Sequence, residues 1–180
     1  MTDEPLTILI ADDEPGIVEL YGMWVQGGHE VRAANSGPEA LELLDETVDI
    51  AFLDRRMPIM DGEEITAEIR ERGIGCAVVL MTGVEPDFGL VNVDFDAYLT
   101  KPVGRDEFEA TVETLRDRPV DGEQHRRYHA LVAKRKLLDR KTTRVERRES
   151  DAYQRLVDQI RAADRAIDDG AVTHQTPPDR

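Results

Sequence analysis

Three acidic positions and one lysine combine the residue types that bind a divalent cation and a phosphoryl group. Asp12 and Asp13 follow one short apolar run, Asp54 follows a second, and Lys101 follows a third. Because the carboxyl ends of parallel strands open on one edge of a sheet, we expect these four side chains to converge there. Clustered carboxylates repel one another, and a hard cation such as Mg²⁺ relieves that repulsion through oxygen ligands. The lysine would place a positive charge beside a bound phosphoryl group. Taken singly, each carboxylate is better explained as a cap on the following helix than as a ligand.

The front of the chain alternates strand and helix patterns. Apolar, β-prone runs predict five strands, at Thr7–Ala11, Glu30–Ala34, Ile50–Leu53, Ala77–Met81 and around Tyr98–Leu99. Most of the intervening segments have helical spacing of apolar residues, which predicts an α/β domain with a doubly wound, five-stranded parallel sheet. The segment Gly83–Ala97 is short and contains several helix-poor residues, so its helix is predicted to be short, shifted or missing.

A small all-α domain is predicted after Arg118–Pro119. The runs Asp121–Gln124 and Thr143–Glu146 have the capping-box pattern, which predicts two helices with a break near Lys141–Thr143. The second helix, predicted to end at Gly170, has a heptad-like apolar seam of Tyr153, Leu156, Ile160, Ala163 and Ile167. Two short helices bury little apolar area, so we expect a hairpin or a coiled coil that also forms a homodimer through the tail. The predicted boundaries are 1–118 for the α/β domain, 119–170 for the helical tail and 171–180 for a frayed terminus.

Charge is distributed unevenly along the 180 residues, whose net charge is −15. Residues 1–118 hold 27 acidic and 9 basic side chains, a net charge of −18, which argues against nucleic-acid binding by this part. Residues 126–148 hold ten basic and two acidic side chains, so a nucleic-acid patch is the alternative to a solvated face or a contact with the acidic domain. No DNA-binding motif accompanies these charges, and nucleic acid is therefore not the expected partner.

Composition also bears on the compartment. Acidic residues in excess with few lysines are expected of a protein that works at high salt. Cys76 is the single cysteine, which fits a reducing compartment. No long apolar segment or signal-peptide pattern occurs, so we expect a cytoplasmic protein without a membrane partner.

From about Leu6 to about Leu115 the chain resembles the receiver domain of two-component response regulators. The resemblance rests on ordered motifs at receiver-like spacing: Asp12-Asp13, Asp54, Met57-Pro58-Ile59-Met60-Asp61-Gly62, Thr82 and Lys101-Pro102. It implies a flavodoxin-like fold and a phosphoprotein of a phosphorelay signal transduction system. Such a receiver is not an enzyme beyond catalysing its own phosphorylation and dephosphorylation.

The resemblance also implies a role for each matching residue. Asp54 would be the phosphoacceptor, with a histidine kinase or a phosphotransfer protein as the donor. Mg²⁺ would be held by Asp13, Asp54, the backbone carbonyl of Arg56 and, through water, Asp12. Catalysis would then consist of positioning and charge stabilisation.

Three further positions complete the implied site, and two of them, Thr82 and Tyr98, form its switch. Lys101 and the Thr82 hydroxyl would contact phosphoryl oxygens, and Tyr98 would turn inward when Thr82 moves. The Lys101–Pro102 bond of such receivers is usually cis. Taken alone, Thr82 could equally cap a helix, and Tyr98 could be a half-buried strand residue.

The tail resembles the HalX domain, which follows receivers in halophilic archaea. The resemblance lies in Leu137-Leu138-Asp139-Arg140-Lys141 and in Tyr153-Gln154-Arg155-Leu156-Val157. Three hypotheses follow: a phosphorylation-switched module with output through the helical tail, a DNA-binding transcriptional regulator that uses the basic tail, and a degenerate receiver that acts as a scaffold. The intact acceptor set counts against the third, and the missing DNA-binding motif counts against the second.

Overall fold

The chain forms two compact units, which we call the α/β unit and the helical unit. The computed structural model describes residues 4–25, 28–83, 86–116 and 122–173, apart from the side chains of residues 122–123 and 168–173. The α/β unit comprises residues 1–85 and 93–118, and the helical unit comprises residues 86–92 and 119–180. Within the described ranges, no helix combines the length and the apolar character needed to cross a lipid bilayer.

The α/β unit is built on one five-stranded sheet. All neighbouring strands are parallel, in the order β2-β1-β3-β4-β5. The strands are β1 (Thr7–Ala11), β2 (Glu30–Ala34), β3 (Ile50–Asp54), β4 (Ala77–Thr82) and β5 (Ala97–Thr100). Four helices flank the sheet: α1 (Pro15–Val25), α2 (Gly37–Leu43), α3 (Gly62–Glu71) and α4 (Arg105–Arg116). The predicted doubly wound α/β fold is confirmed.

Helices cover both faces of the sheet, and its central strands β1, β3 and β4 are buried along nearly their whole length. Helices α1 and α4 contact each other, and α2 and α3 do the same, as expected for pairs on opposite faces. Phe108 of α4 stacks on Phe52 of β3 with ring centroids 4.2 Å apart, and on Tyr21 of α1 at 4.9 Å. These aromatic contacts fix α1 and α4 over the strands whose carboxyl ends carry the polar residues of interest.

The start of α3 is held tightly against the end of β3. The Asp61 side chain accepts hydrogen bonds from the Glu63 and Glu64 N–H groups, and the Glu64 carboxylate accepts from Asp61 N–H, so a capping box begins the helix. A Cβ at Gly62 would lie 2.4 Å from the carbonyl oxygen of Asp54, which leaves room only for glycine. The loop after Asp54 is therefore set by two local signals in the sequence.

The connection between β4 and β5 contains a short 3-10 helix, Phe88–Asn92, as its described helical part. This confirms the prediction of a short or missing fourth helix. Leu90 and Val91 within it are nevertheless buried.

The helical unit contains α5 (Gly122–Lys141), α6 (Arg144–Glu149) and α7 (Asp151–Thr173). Helix α7 runs back along α5, and their shared core includes Val91 of the 3-10 helix together with Leu131, Leu138, Tyr153, Leu156 and Ile160. The break predicted near Lys141–Thr143 is confirmed, but the capping box of Thr143 and Glu146 begins only the six-residue helix α6. The helix with the apolar seam, predicted to continue from this box, starts separately at Asp151, because the backbone is extended at Ser150. The structure therefore contains the hairpin form of the predicted tail.

Two further expectations are corrected. Helix α7 passes through Gly170 and ends at Thr173, because an interior glycine costs a helix only about 1 kcal/mol. Residues 86–92, placed within the receiver range 1–118 by sequence, belong to the helical unit because their apolar side chains pack there. The predicted boundary at Arg118–Pro119, the cap at Asp121 and residues 174–180 of the predicted frayed terminus lie outside the described residues.

Candidate functional site

Three carboxylates meet at the carboxyl edge of the sheet. Asp12 directly follows β1, and Asp54 is the last residue of the adjacent strand β3. The sheet order changes direction between these two strands, where side chains from separate stretches of the chain meet. One carboxylate oxygen from each of Asp12, Asp13 and Asp54 lies within 4.8 Å of the others. The convergence expected from the strand ends is therefore present.

Lys101 directly follows the edge strand β5 and is the fourth member of this cluster. Its ammonium nitrogen lies 2.6 Å from Asp12 Oδ2 and 3.3 Å from Asp54 Oδ1. The Lys101 N–H donates to the carbonyl oxygen of Thr82 at 2.8 Å, which ties the lysine backbone to the end of β4. The Lys101–Pro102 peptide bond is cis, as the resemblance implies.

The two carboxylate oxygens of Asp12 have different environments. Oδ1 accepts a hydrogen bond from Glu14 N–H at 3.0 Å, just before α1. Oδ2 is buried and faces the Lys101 ammonium. The capping explanation and the site explanation thus both apply to Asp12, each to one oxygen, whereas Asp13 lies exposed at the rim.

Burial and charge act in opposite directions on Asp54. Burial raises the pKa of the Asp54 carboxyl above its ordinary value, the charge of Lys101 lowers it, and the charge of Asp12 raises it again. For Lys101, burial lowers the pKa, but the hydrogen bond to Asp12 and the charges of both carboxylates outweigh it and the pKa is raised. The lysine therefore remains a cation beside a pair of crowded carboxylates.

The remaining predicted residues surround this cluster. Thr82 is buried at the end of β4, one residue beyond Met81, the cross-strand neighbour of Asp54. Tyr98 on β5 is half-buried, with its ring centroid 5.9 Å from that of Phe95. Arg56 is exposed, and its backbone N–H donates to the Asp54 carboxylate. The use of its carbonyl as a metal ligand stays a prediction.

Arg55 has a role that the sequence pattern did not reveal. It is buried, and its Nε lies 2.6 Å from Glu63 Oε1 at the start of α3. From sequence alone, an arginine that follows a strand is expected to be exposed to solvent. No local pattern predicts that Arg55 pairs with Glu63, eight positions further along the chain. This ion pair supports the loop between Asp54 and α3.

The donor set fits a hard divalent cation. Its ligand atoms are carboxylate oxygens, with neither sulfur nor imidazole, which is the chemistry that Mg²⁺ prefers. Asp12 and Asp54 are both buried, so their negative charges lie close together with little water around them, and a bound cation would offset that charge. Asp12, Asp13 and Asp54 could therefore hold Mg²⁺.

Comparison with known families agrees with this geometry. The model of the response regulator receiver domain matches residues 8–113, and the model of the HalX domain matches residues 122–174. A Haloferax volcanii protein named "Putative transcriptional regulator" is 40% identical over 169 residues, which is 93% of this chain and 29% of that protein. The transcriptional regulatory protein GlrR of Escherichia coli is 32% identical over 77% of this chain and 32% of its own length.

Solved structures show the same fold for the α/β unit. A CheY-like receiver domain protein from Methanospirillum hungatei is 27% identical, with a TM-score of 0.59 over 66% of this chain and 100% of that one. The receiver domain of NarL from Mycobacterium tuberculosis is 26% identical, with a TM-score of 0.57 over 64% of this chain and 99% of that one. The chain spans about a third of the length of the curated relatives it matches. With its receiver match covering more than half of the sequence, the chain belongs to the response regulators and carries a receiver domain followed by a HalX domain.

Proposed function

We propose that this chain is a phosphorylation-switched regulator in which Asp54 accepts a phosphoryl group from a histidine kinase or a phosphotransfer protein. The observation that carries the proposal is the Lys101 ammonium between Asp12 and Asp54, 2.6 Å and 3.3 Å away, within a cluster of three carboxylates. A structural ion pair needs only one carboxylate, whereas a phosphoryl site needs an acceptor, a cation site and a separate positive charge.

In the proposed reaction, an Asp54 carboxylate oxygen attacks the phosphorus atom of a phosphohistidine. A P–O bond forms as the P–N bond breaks, and the electron pair leaves with the imidazole nitrogen. Bound Mg²⁺ would offset negative charge on the transferred oxygens. Lys101, already beside Asp54, pairs with one phosphoryl oxygen and stays protonated throughout, because its raised pKa keeps it a cation.

We propose that Thr82 detects the new group. It is buried at the strand end next to the acceptor strand, and its carbonyl holds the backbone of Lys101. A hydrogen bond from its hydroxyl to a phosphoryl oxygen would draw this strand end toward Asp54. Tyr98, half-buried on the neighbouring strand β5, would then change its packing.

We propose no enzymatic reaction beyond the chain's own phosphorylation and dephosphorylation, and we place the protein in the cytoplasm.

The test is phosphorylation by acetyl phosphate with Mg²⁺, followed by intact mass. The wild-type chain should gain one phosphate, chelation of the metal should prevent the gain, and Asp54→Asn should abolish it. Asp106→Asn changes an exposed carboxylate on α4 in the same way and should be phosphorylated normally. An undiminished phosphate signal in Asp54→Asn would overturn the assignment of the acceptor.

The structure bears on the alternative of DNA binding through the basic tail. Lys134 is buried, and Arg135 and Arg147 lie 3.6 Å and 3.4 Å from Asp139, so the ten basic residues do not form one uniform exposed face. The absence of nucleic-acid binding stays a prediction. Sequence-dependent binding of duplex DNA at high salt would favour the alternative.

Homodimerisation through the tail also stays a prediction, but fewer residues of the apolar seam remain available for it. Tyr153, Leu156 and Ile160 of the apolar seam are buried within one chain. Only its later positions, Ala163 and Ile167, are half-buried and could contact a second copy. Sedimentation of the full chain with and without phosphodonor tests this association.

A further inference from the structure

Arg55 is held by three contacts directly after the candidate acceptor. Its N–H donates to the carbonyl oxygen of Met81 at 2.7 Å, which extends the pairing of β3 with β4 past Asp54. Its own carbonyl oxygen accepts a hydrogen bond at 3.3 Å from the N–H of Gly62, the first residue of α3. Its side chain is buried, and Nε lies 2.6 Å from Glu63 Oε1. Backbone and side chain therefore fix Arg55 between the end of the sheet and the start of α3.

One peptide group carries this restraint to the Asp54 carboxylate. The carbonyl of Arg55 and the N–H of Arg56 belong to the same planar peptide group. Gly62 N–H holds the carbonyl end of this group, and the N–H end donates to the Asp54 carboxylate. The orientation of that carboxylate therefore depends on the position of Arg55 relative to the start of α3, which the ion pair with Glu63 fixes.

The orientation of Asp54 bears on which hard cation the three carboxylates select. Mg²⁺ is small and requires nearly octahedral placement of its ligands, whereas Ca²⁺ is larger and binds in flexible arrangements with more oxygens. When one carboxylate is free to turn, Mg²⁺ loses more affinity than Ca²⁺, because Ca²⁺ can bind in several of the resulting arrangements. Groups that orient a metal ligand typically account for about 10-fold to 100-fold in affinity.

We propose that Arg55 and Glu63 are positioning residues that hold the Asp54 carboxylate rigid and thereby make the site select Mg²⁺ over Ca²⁺. This inference rests on the cation site of the function proposed above. The two side chains act through the Arg55–Arg56 peptide group and are not themselves ligands. Burial suits the pair to this role, because the arginine side chain is only 4% exposed and solvent screens the interaction little.

Competition against Mn²⁺ tests the selectivity of the unphosphorylated full chain. Free Mn²⁺ is followed by electron paramagnetic resonance, and its release from the protein by MgCl₂ or CaCl₂ gives the two affinities. The wild type should favour Mg²⁺, and Arg55→Met should lower the ratio of the Mg²⁺ affinity to the Ca²⁺ affinity on the order of tenfold. Glu63→Gln keeps a neutral hydrogen-bond acceptor and should give a smaller fall in the same direction.

A matched control is available on the same helix. Arg72 and Glu68 also form an arginine–glutamate pair, with Nε and Oε1 2.7 Å apart, but their side chains are 41% and 37% exposed and the pair lies at the other end of α3. Arg72→Met should therefore keep the wild-type ratio.

The ratio separates positioning from charge. Loss of the positive charge in Arg55→Met strengthens the attraction of both cations, and loss of the negative charge in Glu63→Gln weakens both. A purely electrostatic role would therefore move the two affinities together and leave their ratio unchanged. Hydrogen exchange gives a second measurement without metal. The Arg56 amide, which donates to Asp54, should exchange faster in Arg55→Met than in the wild type.

The outcomes separate this inference from the function on which it rests. A ratio that neither variant alters would overturn the inference and leave the proposed function standing, as would a wild type without preference for Mg²⁺ or an equal fall in Arg72→Met. If the wild type binds neither cation, the proposed function and the inference both fail. If Mg²⁺ binds with the expected selectivity but no phosphate is added at Asp54, only the acceptor role fails. Should Arg55→Met not fold, an unchanged ratio in Glu63→Gln is sufficient to overturn the inference.

Discussion

Replacing Lys101 with methionine should destabilise the α/β unit, because it removes the cation between two buried carboxylates. The ammonium lies 2.6 Å from Asp12 and 3.3 Å from Asp54, and at an effective dielectric constant of about 20 these distances correspond to attractions of about 6 and about 5 kcal/mol. Desolvation of the charges offsets much of this gain. Breaking a buried ion pair by removing one partner costs about 3–5 kcal/mol.

The lower end of that range applies here. Lys101 keeps 17% of its side chain exposed and Asp13 is exposed at the rim, so water can partly solvate the carboxylates left behind. We therefore expect Lys101→Met to lower the free energy of unfolding by about 3 kcal/mol in the absence of divalent cations. Added Mg²⁺ should recover more stability in this variant than in the wild type, because the carboxylates no longer have a competing cation.

Urea unfolding followed by fluorescence measures this change selectively. Trp24 is the single tryptophan and lies in α1, so its emission reports on the α/β unit and not on the helical unit. Lys101→Arg keeps the positive charge and should lose less stability than Lys101→Met. Lys136→Met removes an exposed lysine of α5 and should change stability by no more than about 0.5 kcal/mol. A loss below about 1 kcal/mol in Lys101→Met without metal would refute the reasoning.

Three further perturbations test other parts of the structure. Gly62→Ala should destabilise the α/β unit by about 1–3 kcal/mol, since its new methyl group would lie 2.4 Å from the Asp54 carbonyl oxygen and force the loop to shift. Leu156→Ala should cost the helical unit about 2–5 kcal/mol, measured by circular dichroism, because the side chain is fully buried. Burial and a neighbouring arginine lower the pKa of His29, whose Nδ1 accepts a hydrogen bond from Leu6 N–H, so the unfolded chain takes up a proton more readily. Stability should therefore fall as pH drops below about 6.5, and less so in His29→Asn.

The first two of these have matched control variants, and the third has an outcome that would contradict it. Gly75→Ala adds the same methyl group where nothing lies within 4 Å, and a loss equal to that of Gly62→Ala would contradict the steric argument. Val145→Ala truncates an exposed side chain and should be near neutral, so equal losses at positions 145 and 156 would contradict the assigned core. An unchanged difference between wild type and His29→Asn from pH 7 to pH 5 would show that His29 does not contribute to the pH dependence.

Much of the fold was predictable because its signals are local. Alternation of apolar runs with helical spacing is a property of a few residues at a time, and it located all five strands, with β3 and β4 each extending one residue further, to Asp54 and Thr82. Capping residues act over three or four positions, and the box at Thr143–Glu146 correctly marked the start of α6. The prediction that the last helix ends at Gly170 was wrong, because the destabilising effect of one glycine on a helix is small beside the packing of its neighbours.

The candidate site was predictable in its membership but not in its contacts. Parallel strands bring their carboxyl ends to one edge, and this rule alone puts Asp12, Asp54 and Lys101 in the same region. It cannot assign one oxygen of Asp12 to the cap before α1 and the other to Lys101, because that choice depends on side-chain geometry. Nor can it show that Arg55 turns inward to Glu63.

The sequence by itself determined the order of the elements, the caps that begin them and the residue types gathered at the sheet edge, since these follow from short-range patterns and a topological rule. Only the tertiary structure decided that residues 86–92, which connect two strands of the α/β unit, pack in the core of the helical unit. No pattern within residues 86–92 predicts this packing, because Val91 is buried and Phe88 partly buried by residues of α5 and α7 that lie about forty to seventy positions further along the chain. An apolar side chain in the sequence predicts that it will be buried away from water, but the packing of distant elements decides which residues bury it.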